Sequence, residues 1–165
     1  MKELLEKISS YNIFNNLLPG ILFVVIAKYT TSYDLIQTDI VLGLFLYYFI
    51  GLIISRFGSI VIEKILIKCN FVKYAPYKDF VRVQKQDSKI DILLEANNMF
   101  RTFCAMGLLL LFLKLYEYIS IKFCFCDTAT YILLIVSIII LFLFSYKKQT
   151  NYIKERVETQ KNDTE

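Results

Sequence analysis

The sequence predicts an all-α integral membrane protein: four transmembrane helices arranged as two hairpins, with helices extended into a cytoplasmic stalk. Three observations carry this reading. The 165-residue chain is 56% hydrophobic, with a mean hydropathy of +0.51, above the ~45–50% apolar share of an ordinary soluble domain. The apolar residues are clustered in runs close to the ~20 residues a helix needs to cross ~30 Å of hydrocarbon. With 5 Gly and 2 Pro, the chain is also poor in the turn residues a β-rich fold requires.

The first span is expected at 13–33, around LLPGILFVVIA. Lys28 interrupts it, and Pro19-Gly20 is a candidate kink. The second is expected at 40–55 (IVLGLFLYYFIGLIIS), with its apolar pattern continuing through SIVIEKILIK. Ile40 to Lys68 therefore reads as one helix of about 43 Å at 1.5 Å rise per residue. Glu63, Lys64 and Lys68 fall on its polar side. Tyr74-Ala75-Pro76-Tyr77 reads as a break. Ser88 with Asp91 three residues on is a capping-box-like start for a helix running unbroken into the third span, 100–121. The fourth span is expected at 128–146, and the polar tail 149–165 is expected to fray. Residues 1–165 thus form a single helical membrane domain, with 56–99 as its charged middle segment.

Orientation follows from the basic residues. Of the 19 Lys and Arg, all but Lys28, Lys114 and Lys122 lie in the N-terminal stretch, in the middle segment with the start of span three, or in the tail. The short links 34–39 and 122–127 are nearly free of them. The positive-inside rule then places both termini and the middle segment in the cytoplasm. Tyr29, Tyr33, Tyr116, Tyr118 and Tyr131 fall near the outer interface, and Tyr11 and Tyr146 near the inner one, as an aromatic belt would. Lys2 and Lys7 are accompanied by Glu3 and Glu6, and no small-residue cleavage site follows the first apolar run. The first span is therefore expected to be retained as an anchor.

Composition excludes much chemistry. The chain has no His, so it lacks the commonest metal ligand and the commonest general base. No Gly-rich phosphate loop and no Ser-His or Cys-His pairing exists. No catalytic residue, metal or cofactor is expected, and the chain does not read as an enzyme. Cys69 and Cys104 read as small hydrophobes. Cys124 and Cys126 form a C-x-C pair, too close to bridge without strain.

Two groups of residues are candidates for function. Lys28, Lys114 and Glu117 are charges within spans, where each costs a few kcal/mol and tends to be paired. Glu117 is expected to neutralise Lys114, Lys28 or both; the plainer alternative is that the lysines snorkel to the headgroups. The second group is a polar stripe on the inner half of the third helix. Asp91, Glu95, Asn98 and Thr102 share one helical face, with Arg101 adjacent. Arg56 and the asparagines Asn12, Asn15 and Asn16 lie at the same level. A network among Arg56, Glu95 and Asn98 is expected there, against the alternative of an ordinary solvated face. Spans this poor in Gly should pack on large side chains.

The expected partners are the lipid bilayer, further copies of the chain and a cytoplasmic protein. The topology rule accounts for the basic middle segment, so nucleic acid is not expected. The opening SYNIFNNLLPG, the span count, the size and the charged middle resemble the small four-span membrane proteins of bacterial antiphage defence loci. These are the membrane subunit of the Kiwa system and the membrane accessory proteins beside type VI CRISPR nucleases. The resemblance implies an inner-membrane partner of a cytoplasmic defence protein that senses infection or perturbs the membrane. It transfers no functional residue. Small multidrug transporters carry an acid in their first span, where this chain has Lys28, and lack the long middle segment. Three classes stay open: an oligomeric accessory or effector, a small ion- or proton-coupled transporter, and a structural anchor.

Overall fold

The computed structural model describes the backbone of residues 2–162 and the side chains of residues 15–161. Its elements in order are α1 (Lys2–Thr30), α2 (Ile40–Phe57), a π turn (Gly58–Ile62), α3 (Glu63–Lys68), α4 (Tyr77–Gln84), α5 (Lys89–Phe123) and α6 (Asp127–Asn162), with no strand among the described residues. Three helices are long and apolar enough to cross a membrane: Ile40–Lys68, Lys89–Phe123 and Asp127–Lys161. The part of α1 with described side chains, residues 15–30, is shorter than the 18-residue stretch by which those three qualify.

Local chemistry explains most boundaries. Asp39 caps α2, its carboxylate accepting from the Leu42 backbone N–H at 2.9 Å, which satisfies one of the orphan donors of the first turn. Residues Ile40–Lys68 are continuous, as expected, and are interrupted only by the π turn, where the Glu63 N–H donates to the Gly58 carbonyl. Asn70 (φ 56°) and Cys124 (φ 49°) take the left-handed conformation that commonly ends a helix, after α3 and α5.

Several expectations need correcting. The first helix ends at Thr30 rather than 33: the Thr30 and Thr31 hydroxyls donate to the Ile26 and Ala27 carbonyls at 2.8 Å, and the Ser32 N–H turns away to Glu117. The capping box does not form. Ser88 lies in αR conformation without a side-chain cap, and Asp87 instead accepts from the Lys89 N–H at 2.9 Å. Asp91 accepts from Gln84 Nε2 at 2.7 Å. The segment after Pro76 forms α4, whose Val81 is buried. The tail does not fray within the described residues, because α6 runs on to Asn162. It holds no Gly or Pro, pairs Lys154 with Glu158 one turn on at 3.8 Å, and stacks Tyr152 on Tyr77. Residues 163–165 lie outside the described part.

Packing also departs from expectation. α1 and α2 run antiparallel and cross on glycine, not on large side chains. A Cβ placed on Gly20 would lie 1.8 Å from the Tyr47 carbonyl oxygen, and one on Gly51 would lie 1.7 Å from that of Asn16. Each glycine thus lets the other helix's backbone occupy the space of a side chain, where Cα–H groups can meet carbonyl oxygens. Next to this crossing Ile54, Ile62 and Ala105 form the buried core, flanked by Phe23, Ile50 and Phe57 among others. Gly58 brings the α2 end close to α5, against Ala105 and the Arg101 carbonyl. α6 is different. None of its apolar stretch is buried, and its contacts are spaced out: Phe49 stacks on Phe142 at 6.2 Å, and the Tyr116 hydroxyl meets that of Thr130 at 2.6 Å.

Candidate functional site at the basic end of the bundle

Charged residues gather at the two ends of the bundle. At the end formed by the short links, Glu117 is buried although it lies on an apolar helix. It accepts from Lys114 Nζ at 2.7 Å and from the Ser32 backbone N–H at 2.5 Å. Glu117 therefore joins α5 to the chain just past α1. Lys28 does not take part: it pairs with Asp34 at 3.0 Å. The Ile36 N–H and Lys28 together hold the Asp34 carboxyl below the usual carboxylate range. Its charge, and its contribution to the link, thus survive acidification until the pH falls through that lowered value. Of the three predicted residues, the structure unites Lys114 and Glu117 and leaves Lys28 to a separate pair.

This geometry gives Glu117 a structural task. Glu117→Gln keeps an acceptor for Ser32 but loses the charge facing Lys114. It is expected to lower the unfolding temperature in detergent clearly, whereas Glu158→Gln, which touches only a surface pair, is expected to change it little. Equal effects of the two would show that Glu117 does not secure the loop.

The opposite end holds the larger constellation, and Glu63 is its centre. The Glu63 carboxylate accepts from Arg101 Nη1 at 2.5 Å through Oε2 and from Lys148 Nζ at 2.9 Å through Oε1. Lys148 also donates to the carbonyl and the hydroxyl of Ser59, both at 2.8 Å. Three elements are tied here: the α2–α3 helix, α5 and α6. The side chains of Glu63, Arg101 and Lys148 are 12%, 17% and 21% exposed, so the ion triad is largely out of water. The π turn contributes directly, since the Ser59 carbonyl in the widened turn receives Lys148.

Beside the triad lies a half-open cleft of about 660 Å³. Its polar wall includes Arg56, Asn98, Arg101 and Arg156, and its aromatic wall Tyr77, Phe80 and Tyr152. The Tyr77 and Tyr152 rings stack at 6.3 Å, 15° from parallel, and Lys148 Nζ sits 5.4 Å from the Tyr152 ring centre. Burial and the nearby Glu63 carboxylate push the Tyr152 phenol up, so it stays a neutral donor.

The predicted network among Arg56, Glu95 and Asn98 does not form. Arg56 and Asn98 line the cleft, but Arg56 has no hydrogen-bond or ion-pair partner among the described residues, and Glu95 has none either. Thr102 is buried and turns its hydroxyl back to the Asn98 carbonyl at 2.8 Å, a bond within its own helix. Asp91 bonds Gln84 on α4. Arg101 alone of the stripe enters a charged network, with Glu63. The sequence reading missed Glu63, Ser59 and Lys148. A signal existed, because Arg56, Ser59 and Glu63 are spaced on one helical face leaving the second span. Asn12 lies outside the residues whose side chains are described.

The four cysteines are free thiols. Cys126 is drawn below the usual thiol range by the Thr128 backbone N–H at the start of α6. No group of three or more potential metal ligands exists among the described residues. Comparison with protein-family models, with curated proteins and with solved structures finds no match to this chain.

Proposed function

We propose that this chain is an oligomeric accessory or effector protein of a bacterial inner membrane, with four spans and both termini in the cytoplasm. Its working part is the cytoplasmic junction of α2–α3, α5 and α6. The observation that carries this reading is the Glu63 triad with its adjoining cleft: three long apolar helices leave the hydrophobic zone and converge on one shielded, charged junction at the end rich in Lys and Arg. Ion triads in poor contact with water cost desolvation and seldom add net stability. A site kept at that cost fits a surface that receives a partner.

α1 serves as the fourth span in this reading. It lies antiparallel against α2, with Asn16 meeting Gly51 and Gly20 meeting Tyr47, so it must sit at the depth of its neighbour. The sequence resemblance to defence-locus membrane proteins supports a role beside a cytoplasmic defence protein. The transporter reading loses its main support, because Lys28 is paired away from Glu117 and Glu117 holds a loop. The chain is read as a non-enzyme, since it has no His, the commonest general base.

The test is expression in bacterial cells of the full chain with a C-terminal reporter, read together with membrane potential. The reporter is expected to be active only in the cytoplasm, and activity on the outer side would overturn the orientation. Loss of membrane potential on overexpression would assign the effector mode to permeabilisation. An unchanged potential assigns it to a partner at the junction.

A further inference from the structure

We propose that the cleft beside Glu63 is a binding site for a phosphate ester, held by Arg56 and Arg101. The proposal rests on the reading of this end as the working part and names the chemistry it recognises.

The charges do not balance within the protein. Four cationic side chains, Arg56, Arg101, Lys148 and Arg156, line the cleft, against two carboxylates, Glu63 and Glu155. Glu63 spends one oxygen on Arg101 and the other on Lys148. Lys148 is saturated, since its three donors go to Glu63 and twice to Ser59. Arg101 is not: its Nε is buried and has no acceptor. Arg156 reaches only Gln84, at 3.4 Å, and Arg56, partly buried, reaches no described residue. A guanidinium held out of bulk water with unsatisfied N–H groups is costly unless an anion completes it.

Shape narrows the anion. Arg56 and Arg101 come from different helices, and each carries a planar fork of donors. A tetrahedral phosphate has enough oxygens to accept from both forks, whereas a carboxylate is used up by one. The cleft, about 660 Å³, lies within the ~300–1,000 Å³ range of small-molecule sites and is far larger than a bare phosphate. The stacked Tyr77–Tyr152 wall offers apolar surface to whatever the phosphate is esterified to. Two sources share this chemistry: the headgroup of an anionic phospholipid entering from the membrane, and a soluble phosphate ester from the aqueous side.

The test uses the purified full chain in a maltoside detergent, which contains no phosphate. Inorganic pyrophosphate is titrated in one arm and phosphatidic acid mixed into the micelles in the other, at constant ionic strength, with the unfolding temperature as readout. A saturable rise is expected in at least one arm. A rise in the first alone assigns a soluble ester, and a rise in the second alone a lipid. Arg56→Gln breaks no hydrogen bond or ion pair among the described residues, so it is expected to change the ligand-free unfolding temperature little and to weaken the apparent affinity about tenfold or more. Lys64→Gln, an exposed cation of the same helix outside the cleft, is expected to behave as the unaltered chain. No saturable rise in either arm, or equal losses from both variants, overturns the site. The titration does not depend on which side of the membrane the cleft faces, and the reporter fusion does not depend on the cleft, so each reading fails separately.

Discussion

Gly51→Ala is expected to lose at least ~3 kcal/mol of stability in detergent, an unusually large effect for a single methyl group. The added Cβ would fall 1.7 Å from the Asn16 carbonyl oxygen, and backbone cannot swing aside as a side chain can. α1 must then shift away from α2, opening the contacts of Val24 and Ala27, both buried on α1, as well as its own. Gly20→Ala meets the Tyr47 carbonyl at 1.8 Å and should act alike. The double variant should lose less than the sum, because both changes break one crossing. Gly107→Ala supplies the control: nothing lies within 4 Å of its Cβ, and alanine gains ~0.8–1 kcal/mol of helix propensity. Unfolding by graded denaturing detergent measures all four. A tolerated Gly51→Ala would mean that α1 does not cross α2 here.

Glu63→Ala is expected to be the most damaging change at the basic end, at about 3–5 kcal/mol. It strands two cations, Arg101 and Lys148, whose side chains are 17% and 21% exposed. It also leaves Ser59 alone to tie Lys148 of α6 to the α2–α3 helix. Glu63→Gln should fall between, since one amide oxygen still accepts but no charge remains. Adding Lys148→Met to Glu63→Gln should recover part of the loss, because it removes the largely buried ammonium charge that Glu63→Gln leaves uncompensated. A double-mutant cycle over Glu63 and Lys148 should give a coupling of ~0.5–3 kcal/mol. Additive losses would show that the two residues act independently.

Hydropathy and charge were enough to locate the long helices, the two tight links and the break before Tyr77, because each is written in consecutive residues. The continuous helix from Ile40 to Lys68 followed from one unbroken apolar stripe. The pairing of Lys114 with Glu117 was legible for the same reason, being spaced within one turn. What escaped depends on contacts between distant segments. The role of Gly20 and Gly51 exists only because two antiparallel helices bring residues 16 and 51 together, and a count of 5 Gly gives no hint of where two of them meet. Glu63 looked like one more polar-face charge until Arg101 and Lys148 arrived from other helices. The helical tail was misread from its polarity, although its lack of Gly and Pro and its Lys154–Glu158 spacing argued for order. The polar stripe of the third helix pointed to a network of Arg56, Glu95 and Asn98, but a shared face says nothing of bonding, and Arg56 and Asn98 line a cleft without bonding to one another.

The uneven attachment of α6 has a mechanical consequence. α1 and α2 are locked backbone to backbone, so their tilt relative to each other is fixed. α6 touches its neighbours at intervals, and none of its apolar stretch is buried by the rest of the chain. Where a bilayer becomes thinner or thicker, tilting is the cheapest adjustment for a helix that is free to tilt. The strain then falls on α6, and its far end carries Lys148 and Tyr152 across Glu63 and Tyr77. Any tilt of α6 would therefore change the spacing of the charged junction.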